Sequence, residues 1–261
     1  MSKFAGRIAL VTGGGRGIGQ GISLALAREG AIVAVNYAKG VEAAEATVAQ
    51  IVAAGGIAKA YGADVVDPDA DAAMLAAIAS DFGAVDLLVN NAGVASRGRS
   101  VADTAPEETE RLLRSHAIAP HHLCRLAVPA MRERAKVLGR GDIVMISSVA
   151  TDSNSANGAP YNMGKAAMES LAYTLAKEEV GNNVHVNVVA PGLVVSDMGR
   201  RLAKAVTGVD DIHELDARFP FGRVCQPEDI ARVVTFLCSE DAGYVTGEKI
   251  RVHGGGQNMR A

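Results

Sequence analysis

Short apolar runs alternate with longer amphipathic stretches along this chain. Residues 7–11, Arg-Ile-Ala-Leu-Val, read as a strand. A helical pattern follows at once, with Ile18, Ile22, Leu24, Leu26 and Ala27. The pairing recurs: strand 32–35 with helix 40–54, strand 58–61 with helix 69–82, and strand 85–89 with a long helical region at about 105–135. Pro120 and Pro129 punctuate that region. Strand 142–146 precedes helix 160–180, strand 184–189 precedes a helix from Pro227 to about Cys238, and a last strand lies at about 248–252. Residues 193–222 break the rhythm. The segment is long, charged and follows a strand end, which predicts a lid over a pocket. Strands alternating with helices predict an α/β fold in three layers, a doubly wound, mostly parallel sheet covered on both faces. No linker-like composition or repeat divides residues 1–261, which read as a single domain.

Between the first strand and the first helix stands Thr12-Gly13-Gly14-Gly15-Arg16-Gly17-Ile18-Gly19. Strand, glycine turn and helix together make the motif meaningful. The glycines allow a tight turn and let a pyrophosphate approach the backbone, and the helix N-terminus offers it free N–H groups. The second strand ends at Asn36, followed by Tyr37. An NAD site commonly carries a carboxylate near this position for the ribose 2′-hydroxyl. A neutral Asn36, with Arg16 in the turn to meet a 2′-phosphate, favours NADP(H), with NAD(H) as the alternative. Asp64-Val65 lies at a strand end, where Asp64 reads either as an acceptor for the adenine amine or as an ordinary turn aspartate. Asn90-Asn91-Ala92-Gly93 closes another strand with small residues that permit close approach of a ligand.

The stretch from Ser148 to Lys165 carries the candidate chemistry. Tyr161 and Lys165 are four residues apart in a helical segment, so their side chains leave one face. Ser148 follows the apolar run 143–146 and is delivered to the same place by a polar loop. A tyrosine titrates near pH ~10, and a nearby cation lowers that value. Lys165 is expected to act in this way on Tyr161, making it a general acid/base, while Ser148 holds a substrate oxygen.

Composition narrows the function classes. A net charge of −3 gives no electrostatic case for nucleic acid or an anionic membrane, and the absence of Trp argues against a stacking platform. Cys124, Cys225 and Cys238 lack metal-ligand spacing and read as free thiols of a reducing compartment. His116, His121, His122 and Cys124 share the middle region without a second ligand cluster, so no metal is expected. The apolar run 8–11 is too short for a secretory signal, and no run reaches the ~18 residues of a span. The expectation is a soluble, cytoplasmic protein. Arg132, Arg134, Lys136 and Arg140 form a local basic run, read as a solvated face or, alternatively, a docking patch.

With Thr-Gly-x-x-x-Gly-x-Gly, Asn-Asn-Ala-Gly, Ser148, Tyr161-x-x-x-Lys165 and Pro191-Gly192 in this order, the chain resembles the short-chain dehydrogenase/reductase family over nearly its whole length. The resemblance implies a Rossmann fold, a nicotinamide dinucleotide, and hydride transfer between that cofactor and a ketone or secondary alcohol. It implies Tyr161 as general acid/base, Lys165 as its modulator and ribose ligand, and Ser148 as substrate-oxygen ligand. Gly13, Gly15, Arg16, Gly17, Ile18 and Gly19 would hold the pyrophosphate region, Asp64-Val65 the adenine, and Asn91, Ala92 and Gly93 the side of the cofactor. Pro191, Gly192, Val194 and Ser196 would face the nicotinamide end. The family's usual asparagine on the middle helix is here His116, which is expected to stand in for it with an altered pH dependence. The pattern is most similar to 3-oxoacyl-[acyl-carrier-protein] reductases, which implies acyl carrier protein as a partner and a homotetramer. A cyclic alcohol, sugar or hydroxy acid remains the alternative substrate, and a non-catalytic cofactor-binding sensor or scaffold the alternative of another class.

Overall fold

The computed structural model describes residues 2–255. Among them, seven strands form one parallel sheet in the order β3-β2-β1-β4-β5-β6-β7. The strands are β1 (Ile8–Val11), β2 (Ile32–Tyr37), β3 (Ile57–Gly62), β4 (Leu87–Asn90), β5 (Gly141–Ile146), β6 (Val184–Pro191) and β7 (Lys249–Val252). The central strands β1, β4 and β5 are buried along their full length, as their unbroken apolar runs require. Sequence order reverses between β1 and β4, which opens a crevice at the carboxyl ends of those strands.

Helices cover both faces. On one, α1 (Gly17–Arg28) and α9 (Pro227–Leu237) pack together, beside α2 (Val41–Ala53). On the other lie α3 (Pro68–Asp81), α4 (Pro106–Leu113), α5 (Ala119–Leu138) and α7 (Ala159–Glu179). The short α6 (Ala150–Ser153) precedes α7. The middle region is thus two helices, joined by one π-helical turn, Arg114–Ile118. Pro120 sits in the first turn of α5, where its missing N–H costs nothing, whereas Pro129 lies inside that helix without ending it.

Residues 193–222 are not a plain loop. They contain α8 (Asp197–Thr207) and a 3-10 segment, Ile212–Arg218. Ala203, Ile212, Leu215 and Val224 form a small core of their own, separate from the two main cores. A bridge between Val194 and Cys225 joins the two ends of this lobe. The cysteines are free thiols, with Cys124 and Cys238 buried. No helix among the described residues is long and apolar enough to cross a membrane.

Asp71, in the first turns of α3, is fully buried, and neither carboxyl oxygen has a hydrogen-bond partner among the described residues. Burial, reinforced by the charges of Asp67 and Asp64, pushes it up to about 7. The folded protein therefore keeps a proton that the unfolded chain loses near pH ~3.9. Stability is fully present below that value and falls as pH rises towards the folded-state value. Asp71→Leu is expected to stabilise the protein by about 1–3 kcal/mol at pH ~8 and to flatten that slope. Urea unfolding at acidic and alkaline pH measures both effects.

Candidate active site

The glycine turn is built by close approach. Gly13 and Gly17 take positive φ, +60° and +52°. A Cβ on Gly19 would overlap the carbonyl oxygen of Gly13 and stand 2.6 Å from Asn91 Nδ2. A Cβ on Gly15 would meet the Ala44 backbone at 2.7 Å. No side chain caps the start of α1, so the turn presents backbone N–H groups to the crevice. These features fit a dinucleotide pyrophosphate. Gly19→Ala is expected to abolish detectable NAD(P)H binding, because the helix start must move off the turn. Titration of cofactor fluorescence checks this, and unchanged affinity would contradict it. Ile18 is half-buried and packs against the core beneath the turn.

Thr12 and Asn91 clasp the two strands that flank the crevice. Thr12 Oγ1 accepts from the N–H groups of Asn91 and Ala92, both at 2.9 Å. Asn91 Nδ2 donates to Thr12 O at 2.8 Å. Asn36 is buried: its Oδ1 accepts from Gly13 N at 3.2 Å and its Nδ2 donates to Ala63 O at 3.0 Å. Its amide is committed to shaping the turn, and the half-buried Tyr37 follows it on β2. Arg16 is exposed and meets only Asp197 of α8, at 3.9 Å, among the described ion pairs. Asp64 is exposed after β3, and its Oδ1 accepts from Val66 N at 3.3 Å, a turn arrangement. Val65 beside it is half-buried.

The nicotinamide end is framed by β6 and the lobe that follows. Pro191 closes β6, and Gly192 N donates to Val252 O at 3.0 Å. Val194 is buried. Ser196 caps α8, its Oγ accepting from Gly199 N at 3.0 Å, and its Cβ lies where a side chain on Gly17 would reach. The lobe thus begins against the glycine turn.

Ser148, Tyr161 and Lys165 meet at the carboxyl end of β5. The Ser148 hydroxyl accepts from Ala150 N at 3.1 Å and interacts with the Tyr161 phenol. Burial raises the phenol above its ordinary value, and the Ser148 interaction opposes this only in part. Lys165 Nζ donates to Ile146 O at 2.7 Å and lies 6.0 Å from the centre of the Tyr161 ring. Burial drives Lys165 down to about 7, with Glu169 pulling the other way. The expected lowering of Tyr161 by Lys165 therefore does not govern this arrangement. Desolvation dominates both groups and leaves Tyr161 a protonated acid at neutral pH.

His116 also differs from expectation. It is fully buried in the π turn, and its Nε2 pairs with Val94 O at 2.8 Å. Its ring meets Tyr161 edge-on at 5.1 Å. Burial, then the charge of Lys165, lowers it to about 3. It stays neutral throughout the working range, so it does not titrate near neutrality. A Cβ on Gly93 would stand 2.6 Å from His116 Cε1, so the strand end, the π turn and Tyr161 are packed as one unit. Gly164 brings α7 equally close, since its Cβ would meet Leu112 O at 3.1 Å.

In the basic run Arg132 and Lys136 are exposed, Arg134 is half-buried and Arg140 is buried. Arg132 pairs with Glu179 at 2.5 Å, Arg134 with Asp86 at 2.8 Å and Lys136 with Glu133 at 2.7 Å, while Arg140 is buried against Asp142. Each cation has a partner: those of Lys136 and Arg140 are near in sequence, those of Arg132 and Arg134 come from distant segments. Among the described residues no group of three or more His, Cys, Asp or Glu side chains is placed to hold a metal.

Comparison with known proteins agrees with this geometry. Residues 13–257 match a family model described as enoyl-(acyl carrier protein) reductase. The chain is 39% identical over 249 residues to the 3-oxoacyl-[acyl-carrier-protein] reductase FabG of Staphylococcus aureus, covering 95% of this chain and 96% of that one. It is 38% identical over 260 residues to versicolorin reductase 1 of Aspergillus parasiticus, covering 97% of each. Among solved structures it is similar to a 7α-hydroxysteroid dehydrogenase complexed with NADH and 7-oxo glycochenodeoxycholic acid, with a TM-score of 0.88 and 32% identity over 97% of this chain and 95% of that one. A glycine cradle at a sheet crevice, a half-buried phenol beside a buried lysine, and relatives matched from end to end lead to one conclusion: the chain belongs to the short-chain dehydrogenase/reductase family, as an NAD(P)-dependent oxidoreductase acting on CH–OH and carbonyl groups.

Proposed function

We propose that this protein is an NADP(H)-dependent ketone reductase whose first substrate class is the 3-oxoacyl thioester. The observation that carries the reductive reading is the half-buried, protonated phenol of Tyr161 beside Ser148. Bound nicotinamide supplies the hydride. Ser148 and Tyr161 hold the carbonyl oxygen, and Tyr161 Oη gives it a proton as charge develops. Lys165 donates to Ile146 O beneath that site, and its ammonium is present below about pH 7. His116 orients the Tyr161 ring and the Val94 segment. The reverse reaction needs a phenolate, so alcohol oxidation is expected to rise with pH where reduction falls as Lys165 loses its proton above neutrality. Initial rates in both directions across pH check this.

Two features support NADP(H). Arg16 extends from the glycine turn with one long ion pair, and neither Asn36 nor Tyr37 carries a charge that repels a 2′-phosphate. The Arg16–phosphate contact is a charge-assisted hydrogen bond of about 1.5–3 kcal/mol. Arg16→Ala is therefore expected to raise the KM for NADPH by about tenfold or more and leave that for NADH unchanged. Equal effects on the two cofactors would contradict it.

The thioester class rests on the FabG relative, and acyl carrier protein as partner has the same support. The versicolorin reductase and hydroxysteroid relatives support a second reading, a cyclic ketone. Steady-state NADPH oxidation with an acetoacetyl thioester against cyclic ketones decides between them. The lobe at 193–222 serves as the substrate lid, hinged where Val194 meets Cys225. A homotetramer in the cytoplasm completes the proposal. Exposed apolar Met163 on α7, Phe236 on α9 and Tyr244 beyond it supply apolar surface for subunit contact, and a monomer in sedimentation would refute it.

A further inference from the structure

Glu169 lies one turn after Lys165 on α7, largely buried and turned towards the Ser148 segment. Its Oε1 accepts from Ser147 Oγ at 2.5 Å and from Thr151 Oγ1 at 2.8 Å. These two hydroxyls bracket Ser148. Thr151 Oγ1 also stands 2.9 Å from Ser148 O, so its single proton is shared between that carbonyl and Glu169. Lys249 of β7 completes the cluster. Its Nζ reaches Glu169 Oε1 at 3.0 Å, Thr151 Oγ1 at 2.7 Å and Asp152 Oδ1 at 2.9 Å. Arg251 holds the other oxygen of Asp152 at 2.6 Å.

A carboxylate removed from water is costly unless its charge and its lone pairs are met. Here two hydroxyls and one ammonium meet them, which orients the residues on either side of Ser148. The groups facing Glu169 are Lys249 and Arg251 from β7, Asp152 from α6, and Lys165 and Tyr173 from α7 itself. Glu169 is the anion that acts on the buried Lys165 ammonium.

We infer that Glu169, held by Lys249, is a positioning residue that fixes the Ser148 segment onto the helix of Tyr161 and Lys165. The inference rests on the carbonyl-reduction reading for its kinetic part, while its structural part stands apart from activity. Lys249 retains Asp152 when Glu169 is neutralised, so Glu169→Gln keeps a paired ammonium. Thr151→Val removes the Ser148 tether without changing charge.

The test combines amide hydrogen exchange of the protein without cofactor with pH profiles of kcat. Both variants are expected to exchange faster in the peptide covering residues 147–153, with the β1, β4 and β5 amides unchanged. Glu169→Gln is further expected to lower kcat by about tenfold and to move the alkaline fall of reduction about one unit to lower pH, since a lost anion favours neutral Lys165. Thr151→Val is expected to lower kcat without moving that limb. Exchange and profile both unchanged in Glu169→Gln, or exchange raised equally across the whole sheet, would overturn the inference. If the unaltered protein reduced no carbonyl, the functional reading would fail, while the exchange comparison would still decide the tether.

Discussion

Tyr161→Phe is expected to lower kcat for carbonyl reduction by about 10²–10⁴-fold while cofactor affinity and Tm stay near those of the unaltered protein. The substitution removes one oxygen and keeps the ring. The edge contact with His116 at 5.1 Å is made by the ring, so the packing of α7 against the π turn survives. Lys165 still donates to Ile146 O, and Ser148 keeps its own bond from Ala150 N. What disappears is the phenolic proton donor beside Ser148. Neither neutral His116 nor a lysine committed to a carbonyl replaces it. Cofactor fluorescence, a melting curve and initial rates on one preparation separate the three quantities. Equal loss of binding and rate would assign Tyr161 a merely structural part.

Asp86→Ala is expected to destabilise the protein by about 3–5 kcal/mol, a large share of the ~5–15 kcal/mol that holds a typical domain together. Asp86 is fully buried before β4, at the amino ends of the central strands, opposite the active site. Its carboxylate bonds Arg7 Nε, Arg134 Nη2 at 2.8 Å and Ile8 N at 3.1 Å. Asp142 shares Arg7 and holds Arg140. Removing Asp86 leaves three guanidinium groups around one carboxylate and orphans the first amide of β1. Asp86→Asn retains the bond to Ile8 N and is expected to lose less. Denaturant unfolding should show a lower midpoint at unchanged slope. Kinetic constants of the folded fraction should stay near normal, because the cluster is remote from Tyr161.

The contrast between these two ends explains what the sequence made legible. Strand runs such as 143–146 and the glycine turn are local signals, and the fold places them as expected. Tyr161, Lys165 and Ser148 were legible because helix spacing and a strand end suffice to bring them together. The π turn at Arg114–Ile118 was not, since it is one residue of register within a continuous helical pattern. Helix α8 carries a readable stripe, Met198, Leu202 and Val206 at helical spacing, but the charged residues around it drew the reading towards an irregular lid. Two partners of the basic run from Arg132 to Arg140 were hidden for a related reason: Glu179 and Asp86 lie 47 and 48 residues away in sequence. The same distance argument applies to Asn36, whose buried amide is revealed only by its partners Gly13 and Ala63. Glu169 carried a usable signal, its place four residues after Lys165, but Lys249 comes from the last strand. Burial also reversed the expected effect on Tyr161, since spacing places a cation near a phenol and says nothing of the water removed from both.

The central claim is that this protein turns over a carbonyl with a bound nicotinamide rather than only binding the cofactor. A single-turnover measurement tests it most directly. Protein saturated with NADPH is mixed with an acetoacetyl thioester or a cyclic ketone, and loss of the reduced cofactor is followed with time. The account predicts oxidation of one NADPH per site with formation of the matching alcohol, and its loss in Tyr161→Phe. NADPH that stays bound and reduced with every carbonyl offered would contradict it and identify a cofactor-binding protein without turnover.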